Sequence, residues 1–163
     1  LSDVVVANAG YGQSGWVQKV EMHQWRRQFD VNFFGLISTV RHSLPHLKTS
    51  GGQVVLISSV MAYVRFLKSA PYCASKAAVH QYAEVVAKEY PDVRIHAFRP
   101  GKVDTPMQAV IRGSSSTAFA DKSHFVEAYE QGELVQPVFV AEKLLEVFVS
   151  KTEIPVIFST SNV

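Results

Sequence analysis

The stretch that is most informative about the fold is Val54-Val55-Leu56-Ile57-Ser58-Ser59. Four consecutive apolar residues followed directly by two serines are typical of a short strand that is buried on both faces. Val4 to Ala7 has the same form and predicts a second strand of this kind. Two further strands are predicted at residues 93–98 and 154–158.

Amphipathic segments separate these strands. Apolar residues recur at steps of three and four between residues 20 and 47, which predicts one helix with a buried face. Pro45 should bend or end this helix, and Ser50-Gly51-Gly52 should stop it. Residues 72–90 and 138–150 predict two more helices. Strands that alternate with helices indicate an α/β fold, in which helices cover a parallel sheet.

Composition narrows the class of protein. The 163 residues are 47% apolar and 18% charged, which fits one ordered domain over 1–163 and excludes disorder. A net charge of +2 without a basic run gives no reason to expect nucleic acid as a partner. The single cysteine, Cys73, excludes an internal disulfide framework, and the apolar runs are too short for a bilayer. We therefore expect an intracellular, cytoplasmic protein with no membrane partner.

Gly10-Tyr11-Gly12-Gln13-Ser14-Gly15 matches the G-x-G-x-x-G pattern of dinucleotide-binding loops and follows a predicted strand. That pattern needs a helix that starts within the glycines and an acid at the end of a second strand. The one well-placed acid, Asp30, lies inside the helical pattern instead. The interpretation as a dinucleotide fingerprint is therefore disfavoured.

Tyr72 and Lys76 form a stronger candidate. They are four residues apart at the start of a predicted helix, which places both side chains on one face. A neighbouring ammonium favours the phenolate and should lower the pKa of Tyr72 toward the range that acid–base catalysis needs. Ser59 ends a buried strand, from where its hydroxyl can reach a substrate oxygen if strand and helix are adjacent.

Several other polar residues have simpler explanations. Ser58 should face away from Ser59, because side chains alternate along a strand. His42 and His46 are four apart, but Pro45 interrupts the helix and no third ligand is evident, so no metal site is expected. Cys73 lies among small residues and is expected to pack rather than react.

Together these motifs resemble the short-chain dehydrogenases/reductases. The matching pieces occur in the order and at the spacings of that family; they are Asn8-Ala9-Gly10, Asn32, Ile57-Ser58-Ser59, Tyr72-Cys73-Ala74-Ser75-Lys76, Arg99-Pro100-Gly101 and Val103-Asp104-Thr105-Pro106-Met107. The segment after Met107, with Gly132-Glu133-Leu134-Val135, resembles the sepiapterin reductase and fungal benzil reductase branch.

The resemblance implies a Rossmann-type parallel sheet with flanking helices and an oxidoreductase that transfers a hydride between NADP(H) and a carbonyl or alcohol. It implies that Tyr72 is the acid–base group, that Lys76 binds the nicotinamide ribose, that Ser59 polarises the carbonyl and that Asn32 helps to hold a relay water. The implied cofactor-binding residues are Asn8, Ala9, Gly10, Tyr72, Lys76, Pro100, Gly101, Val103 and Thr105. NADP(H) is favoured by the resemblance of the later segment, NAD(H) is not excluded, and a homo-oligomer is implied.

By the same resemblance, the first βαβαβ part of the fold, with its pyrophosphate loop, should precede Leu1. Two hypotheses follow: an enzyme whose catalytic part lies in this chain, or a truncated, non-catalytic remnant or interaction module that binds no cofactor. The substrate is expected to be hydrophobic because its predicted surroundings are largely apolar. The apolar residues are Tyr63, Phe66, Leu67, Met107 and Phe119.

Overall fold

The computed structural model describes residues 3–115, 121–149 and 154–161. Its strands are β1 (Val4–Ala7), β2 (Gln53–Ile57), β3 (Arg94–Arg99) and β4 (Ile157–Ser159). Its α-helices are α1 (Met22–Phe29), α2 (Gly35–Ser50), α3 (Ala70–Glu89), α4 (Pro106–Gly113), α5 (Lys122–Glu130) and α6 (Pro137–Val149). A π-helical segment, Asp30–Phe34, joins α1 to α2, and a 3₁₀ turn, Val60–Ala62, follows β2.

The four strands of the described residues form one parallel sheet in the order β1-β2-β3-β4. Val5 pairs with Val54, Val54 with Ile95, and Phe98 with Phe158. Parallel strands need crossover connections, which the helices between them supply. The carboxyl ends of β1, β2 and β3 consequently lie at one edge of the sheet, the edge where α/β proteins bind ligands. The α/β, Rossmann-type fold with flanking helices is confirmed.

Helices bury both faces of the central strands β2 and β3. On one face, Val54, Leu56 and Ala97 pack with apolar residues of α2 and α3, such as Val40 and Val79. On the other face, Val55, Phe98 and Phe158 pack with three residues of α6. These are Val140, Leu144 and Val147. This burial on both faces explains why the sequence of β2 is a nearly continuous apolar run.

The prediction that β1 is buried on both faces is wrong. Val4 and Val6 are 39% and 43% exposed, whereas Ala7 is buried. Strand β1 is an edge of the sheet in the described residues, and it pairs with β2 alone. Its apolar character therefore does not reflect burial within these residues.

The single helix predicted over residues 20–47 is two helices separated by the π-helical segment. Pro45 neither ends nor interrupts α2, which continues to Ser50. The stop at Gly51 is as predicted, because this residue takes a left-handed φ of 61° and its N–H closes the last turn on Leu47. A proline costs a helix one hydrogen bond, and the buried face of α2 compensates for that loss.

The segment from 105 to 136 is polar in sequence but contributes two residues to the buried interior. It contains α4 and α5, and Phe125 and Ala128 of α5 are buried. Residues 116–120, which include Phe119, lie outside the described residues. No described helix has both the length and the apolar character needed to cross a membrane.

Candidate active site

Sequence-predicted site residues from three strands converge at the carboxyl edge of the sheet. Asn8, Ala9 and Gly10 follow β1 and are exposed, Ser59 follows β2, and Pro100 follows β3. Helix α3 begins beside them and contributes Tyr72 and Lys76, and the π-helical segment contributes Asn32.

Lys76 lies in the interior of this site. The residue is only 3% exposed, and its Nζ donates a 2.8 Å hydrogen bond to the main-chain oxygen of Ile57. The Nζ atom lies 5.7 Å from the centre of the Tyr72 ring. Burial lowers the pKa of Lys76 to about 8, because removal from water penalises the ammonium form. No salt bridge of Lys76 is found among residues 3–115, 121–149 and 154–161.

Tyr72 and Ser59 interact across the gap between α3 and β2. Burial raises the pKa of the Tyr72 phenol, while the Ser59 hydroxyl acts in the opposite direction by stabilising the phenolate. The expected lowering by Lys76 therefore does not govern the pKa of Tyr72 in this structure. A raised pKa keeps the phenol protonated at neutral pH, which suits a proton donor.

Ser59, rather than Ser58, faces this site. Ser59 has an extended backbone and its Oγ accepts a 3.2 Å hydrogen bond from the N–H of Met61, which caps the 3₁₀ turn. Ser58 is buried, and its Oγ has no hydrogen-bond partner among the described residues. The structure thus separates the two serines as strand alternation predicts.

Asn32 is fully buried within the π-helical segment. Its Oδ1 accepts a 2.7 Å hydrogen bond from the N–H of Tyr11, and its Nδ2 donates to the Tyr11 carbonyl over 2.8 Å. The same Nδ2 donates to Ser75 Oγ, and Ser75 in turn donates to the main-chain oxygen of Tyr72. Asn32 is therefore linked to Tyr72 through Ser75, while its role in holding a relay water stays a prediction.

The remaining cofactor candidates lie after β3. Gly101 has a φ of 82°, a conformation that L side chains rarely adopt, and it turns the chain out of the strand. Val103 forms an isolated bridge with Val135, so the two ends of the α4–α5 region are joined beside the site. Thr105 caps α4 by accepting a hydrogen bond from the N–H of Gln108.

The apolar residues expected around the substrate have different surroundings. Met107 lies near Tyr72, since both would contact a Cβ placed at Gly12, whereas Tyr63 and Leu67 are exposed. Phe66 packs instead against two rings of α5. These are His124 and Phe125, with ring centres 6.1 Å and 5.7 Å away.

The other reactive side chains make their hydrogen bonds elsewhere, although Cys73 follows Tyr72 directly and also raises the pKa of its phenol. His42 and His46 are exposed, and His42 bonds the carbonyl of Ser38 on its own helix. Cys73 is partly buried, with its Sγ 4.0 Å from the carbonyl oxygen of Val64. No group of three side chains suited to a metal ion is found in the described ranges.

Comparison with known proteins agrees with this arrangement. The family profile described as short chain dehydrogenase matches residues 2–115, which include Asn32, Ser59, Tyr72 and Lys76. The chain belongs to the short-chain dehydrogenase family.

Relatives within the short-chain dehydrogenase family include several fungal proteins. An uncharacterized oxidoreductase of Schizosaccharomyces pombe is 38% identical over 87% of this chain and 59% of its own length. A Saccharomyces cerevisiae protein named benzil reductase ((S)-benzoin forming) is 34% identical over 88% of this chain and 59% of its own length. A solved Saccharomyces cerevisiae short-chain dehydrogenase/reductase has a TM-score of 0.90 at 30% identity, covering 96% of this chain and 65% of that one. The chain therefore spans about three fifths of the curated relatives that it matches.

The contacts that hold the segment after β1 in this member of the family were not predicted from the sequence. Gln28 is fully buried and bonds the backbone of Gln13, and Ser75 connects Asn32 to Tyr72. One signal was available for Gln28, which lies four residues before Asn32 on the same helical face and has the same amide chemistry. Ser75 gave no such signal beyond its place between Tyr72 and Lys76.

Proposed function

We propose that this chain carries the catalytic part of an NADP(H)-dependent oxidoreductase that interconverts a carbonyl compound and an alcohol. The observation that carries the proposal is the buried Lys76, whose ammonium reaches the end of β2 beside Tyr72 and Ser59. A buried lysine with a strongly shifted pKa beside a tyrosine and a serine is characteristic of a functional site rather than of a packed core.

The residues at this edge fit a nicotinamide cofactor. Lys76 has three ammonium hydrogens, and one of them is used by Ile57, so others are available for ribose hydroxyls. Asn8 to Gly10 and Gly101 present exposed backbone on either side. Val103 and Thr105 continue this surface toward α4. The cofactor, when bound, supplies or accepts the hydride at the substrate carbon.

Tyr72 transfers the proton in the proposed reaction, and Ser59 binds the substrate oxygen that receives it. In the direction of reduction, the Ser59 hydroxyl donates a hydrogen bond to the substrate carbonyl oxygen and so polarises it. The Tyr72 O–H bond then breaks, and its proton goes to that oxygen as the hydride reaches the carbon. The products are an alcohol and a tyrosinate, whose charge the Ser59 hydroxyl and the Lys76 ammonium stabilise. Tyr72 regains its proton from a relay water that draws it from solvent, and Asn32, linked to Tyr72 through Ser75, is the residue that the family resemblance implies helps to hold this water.

The substrate class in this proposal is a hydrophobic ketone or diketone. Met107, near Tyr72, presents an apolar surface, and the relative named for benzil reduction suggests a diaryl diketone as the first compound to test. The choice of NADP(H) rests on the resemblance of residues 132–135 to the sepiapterin reductase and benzil reductase branch. The proposal includes a homo-oligomer, since small residues such as Ala74 and Ala77 are exposed on α3 and would allow close packing of helices. It also includes a cytoplasmic location.

The test is an assay of the whole protein with benzil and either NADPH or NADH. We expect oxidation of the nicotinamide at a rate that depends on benzil, with NADPH the better donor. A chain that belongs to a non-catalytic remnant gives neither turnover nor a fluorescence change when NADPH is titrated. That result would contradict the proposal, and faster turnover with NADH would contradict its choice of cofactor.

A further inference from the structure

Two buried carboxamides hold the segment that follows β1. Gln28 and Asn32 are fully buried and lie one helical turn apart. The N–H of Gln13 donates to Gln28 Oε1 over 3.2 Å, and Gln28 Nε2 donates to the Gln13 carbonyl over 3.2 Å. Asn32 makes the same pair of bonds with Tyr11, at 2.7 Å and 2.8 Å. We call Gln28 and Asn32 the amide clamp.

The amide clamp makes the main-chain hydrogen bonds that a neighbouring strand would otherwise make. A primary amide offers one acceptor and two donors, so it can satisfy the N–H and the C=O of one backbone residue at once. In an extended chain, residues two apart turn these groups to the same side, as Tyr11 and Gln13 do here. Side chains four apart on a helix lie on one face. The spacing of the clamp therefore matches the spacing of the backbone that it holds.

The polarity of Gln28 has a specific use. Burying an amide is unfavourable unless its hydrogen bonds are made, and an apolar residue could fill the same volume without that requirement. The oxygen and the nitrogen of the Gln28 side chain both bond the main chain of Gln13, which lies 15 residues away along the chain. The bonds thus fix a segment that has no strand beside it in the described residues.

The held segment includes the contact with Tyr72. Gly12 lies between the two clamped residues, and a Cβ built on it would be 3.5 Å from Cδ2 of Tyr72 and 3.6 Å from Sδ of Met107. The backbone at Gly12 therefore lies against the ring of Tyr72 and the side chain of Met107, and we call it the Gly12 wall. Its position depends on Tyr11 and Gln13, the residues on either side of it.

We propose that Gln28 is a positioning residue that sets the size of substrate accepted beside Tyr72, by holding the Gly12 wall through Gln13. This inference rests on the proposed function for its substrate, but the position of the wall can be measured without turnover. A large diketone contacts the wall and depends on it, whereas a small diketone leaves it untouched. Loss of the clamp should therefore raise KM for the large substrate and leave kcat and the pH profile nearly unchanged.

The first experiment observes the wall itself in the protein and in Gln28→Leu. Loss of the two bonds should make the Gln13 amide exchange its hydrogen about tenfold faster, while the Tyr11 amide stays protected by Asn32. With ¹³C-methyl methionine, the Met107 resonance should shift and that of exposed Met22 should not. Unchanged Gln13 exchange and an unchanged Met107 resonance in a folded Gln28→Leu protein would overturn the proposal.

The second experiment measures steady-state reduction of benzil and of butane-2,3-dione. In Gln28→Leu we expect KM for benzil to rise about tenfold, with kcat and the KM for butane-2,3-dione changed by less than about twofold. Gln24→Leu is the matched control, because Gln24 lies one turn earlier on α1 and, among the described residues, its side chain bonds only the helix start at Glu21. An equal change for both diketones would overturn the role in substrate size. If the unaltered protein reduces neither diketone, the proposed function fails, and the exchange and methyl measurements still decide whether Gln28 holds the wall.

Discussion

The ammonium of Lys76 donates a hydrogen bond to the main-chain oxygen of Ile57 over 2.8 Å. Ile57 is the last residue of β2, and Ser59 follows two residues later, so this bond ties α3 to the strand that carries the serine. One hydrogen bond replaces only part of the hydration that a lysine has in water, and burial lowers the pKa of Lys76 to about 8. The site therefore keeps a buried positive charge at the expense of stability.

Replacing Lys76 by methionine should make the cofactor-free protein more stable and inactive. Methionine has no charge to bury, although the Ile57 carbonyl loses its partner. We expect the free energy of unfolding at pH 7 to rise by about 2 kcal/mol, measured by urea unfolding. Turnover with NADPH and benzil should be lost. A Lys76→Met protein less stable than the original at pH 7 would contradict this account.

The gain from Lys76→Met should depend on pH in a defined direction. The folded pKa is about 8 and the ordinary value is 10.5, so between these values the unfolded chain binds the extra proton. Stability of the original protein therefore rises with pH in this window relative to the variant. We expect the difference between the two proteins to be nearly lost by about pH 9.5. Lys88→Met, an exposed change near the end of the same helix, should show no such trend.

Ser59→Ala and Ser58→Ala form a matched pair. Ser59→Ala removes the hydroxyl that stabilises the Tyr72 phenolate and should lower kcat by about tenfold to a hundredfold. It should also cost about 1 kcal/mol, because the 3₁₀ turn loses its cap at Met61. Ser58→Ala removes a buried hydroxyl without a described partner and should leave activity intact and stability equal or higher. A larger loss of kcat in Ser58→Ala than in Ser59→Ala would contradict the assignment of the catalytic hydroxyl to Ser59.

The sequence predicted the parts of the fold that depend on local pattern. Strand β2 and helix α3 were correctly predicted, because an unbroken apolar run and an alanine-rich helical spacing each allow few alternatives. The stop of α2 at Gly51 was predicted because a left-handed residue strongly favours glycine. The Gly10–Gly15 segment was correctly separated from a dinucleotide loop, since no helix begins between β1 and Met22 in the part of the chain that the structure describes.

Features that depend on tertiary contacts were not predictable in the same way. Pro45 is retained within α2 because Leu44 and Leu47 are buried on either side of it, which a local rule for proline does not include. The pKa of Tyr72 is governed by burial rather than by its neighbour Lys76. The link from Gln28 to Gln13 depends on how the chain after β1 passes over α1, and periodicity contains no information about that path.

Gly52 should be the least replaceable glycine between α2 and β2. A Cβ there would be 2.6 Å from the main-chain oxygen of Asp3 and 2.6 Å from a methyl group of Leu47. Because backbone cannot move aside cheaply, Gly52→Ala should cost about 2 kcal/mol in free energy of unfolding. Gly113→Ala meets no atom within 4 Å and should change stability by about 0.5 kcal/mol at most or increase it. Equal stabilities of the two variants would contradict the packing described for this turn.

The most direct test of the central claim is the rate of benzil-dependent NADPH oxidation by the whole protein and by its Tyr72→Phe variant. The substitution removes the proton that reaches the substrate oxygen and keeps the ring that contacts the Gly12 wall. We expect kcat to fall at least about a hundredfold, while the free energy of unfolding changes by no more than about 1 kcal/mol. A Tyr72→Phe protein that reduces benzil at the original rate would contradict the assignment of Tyr72 as the proton donor.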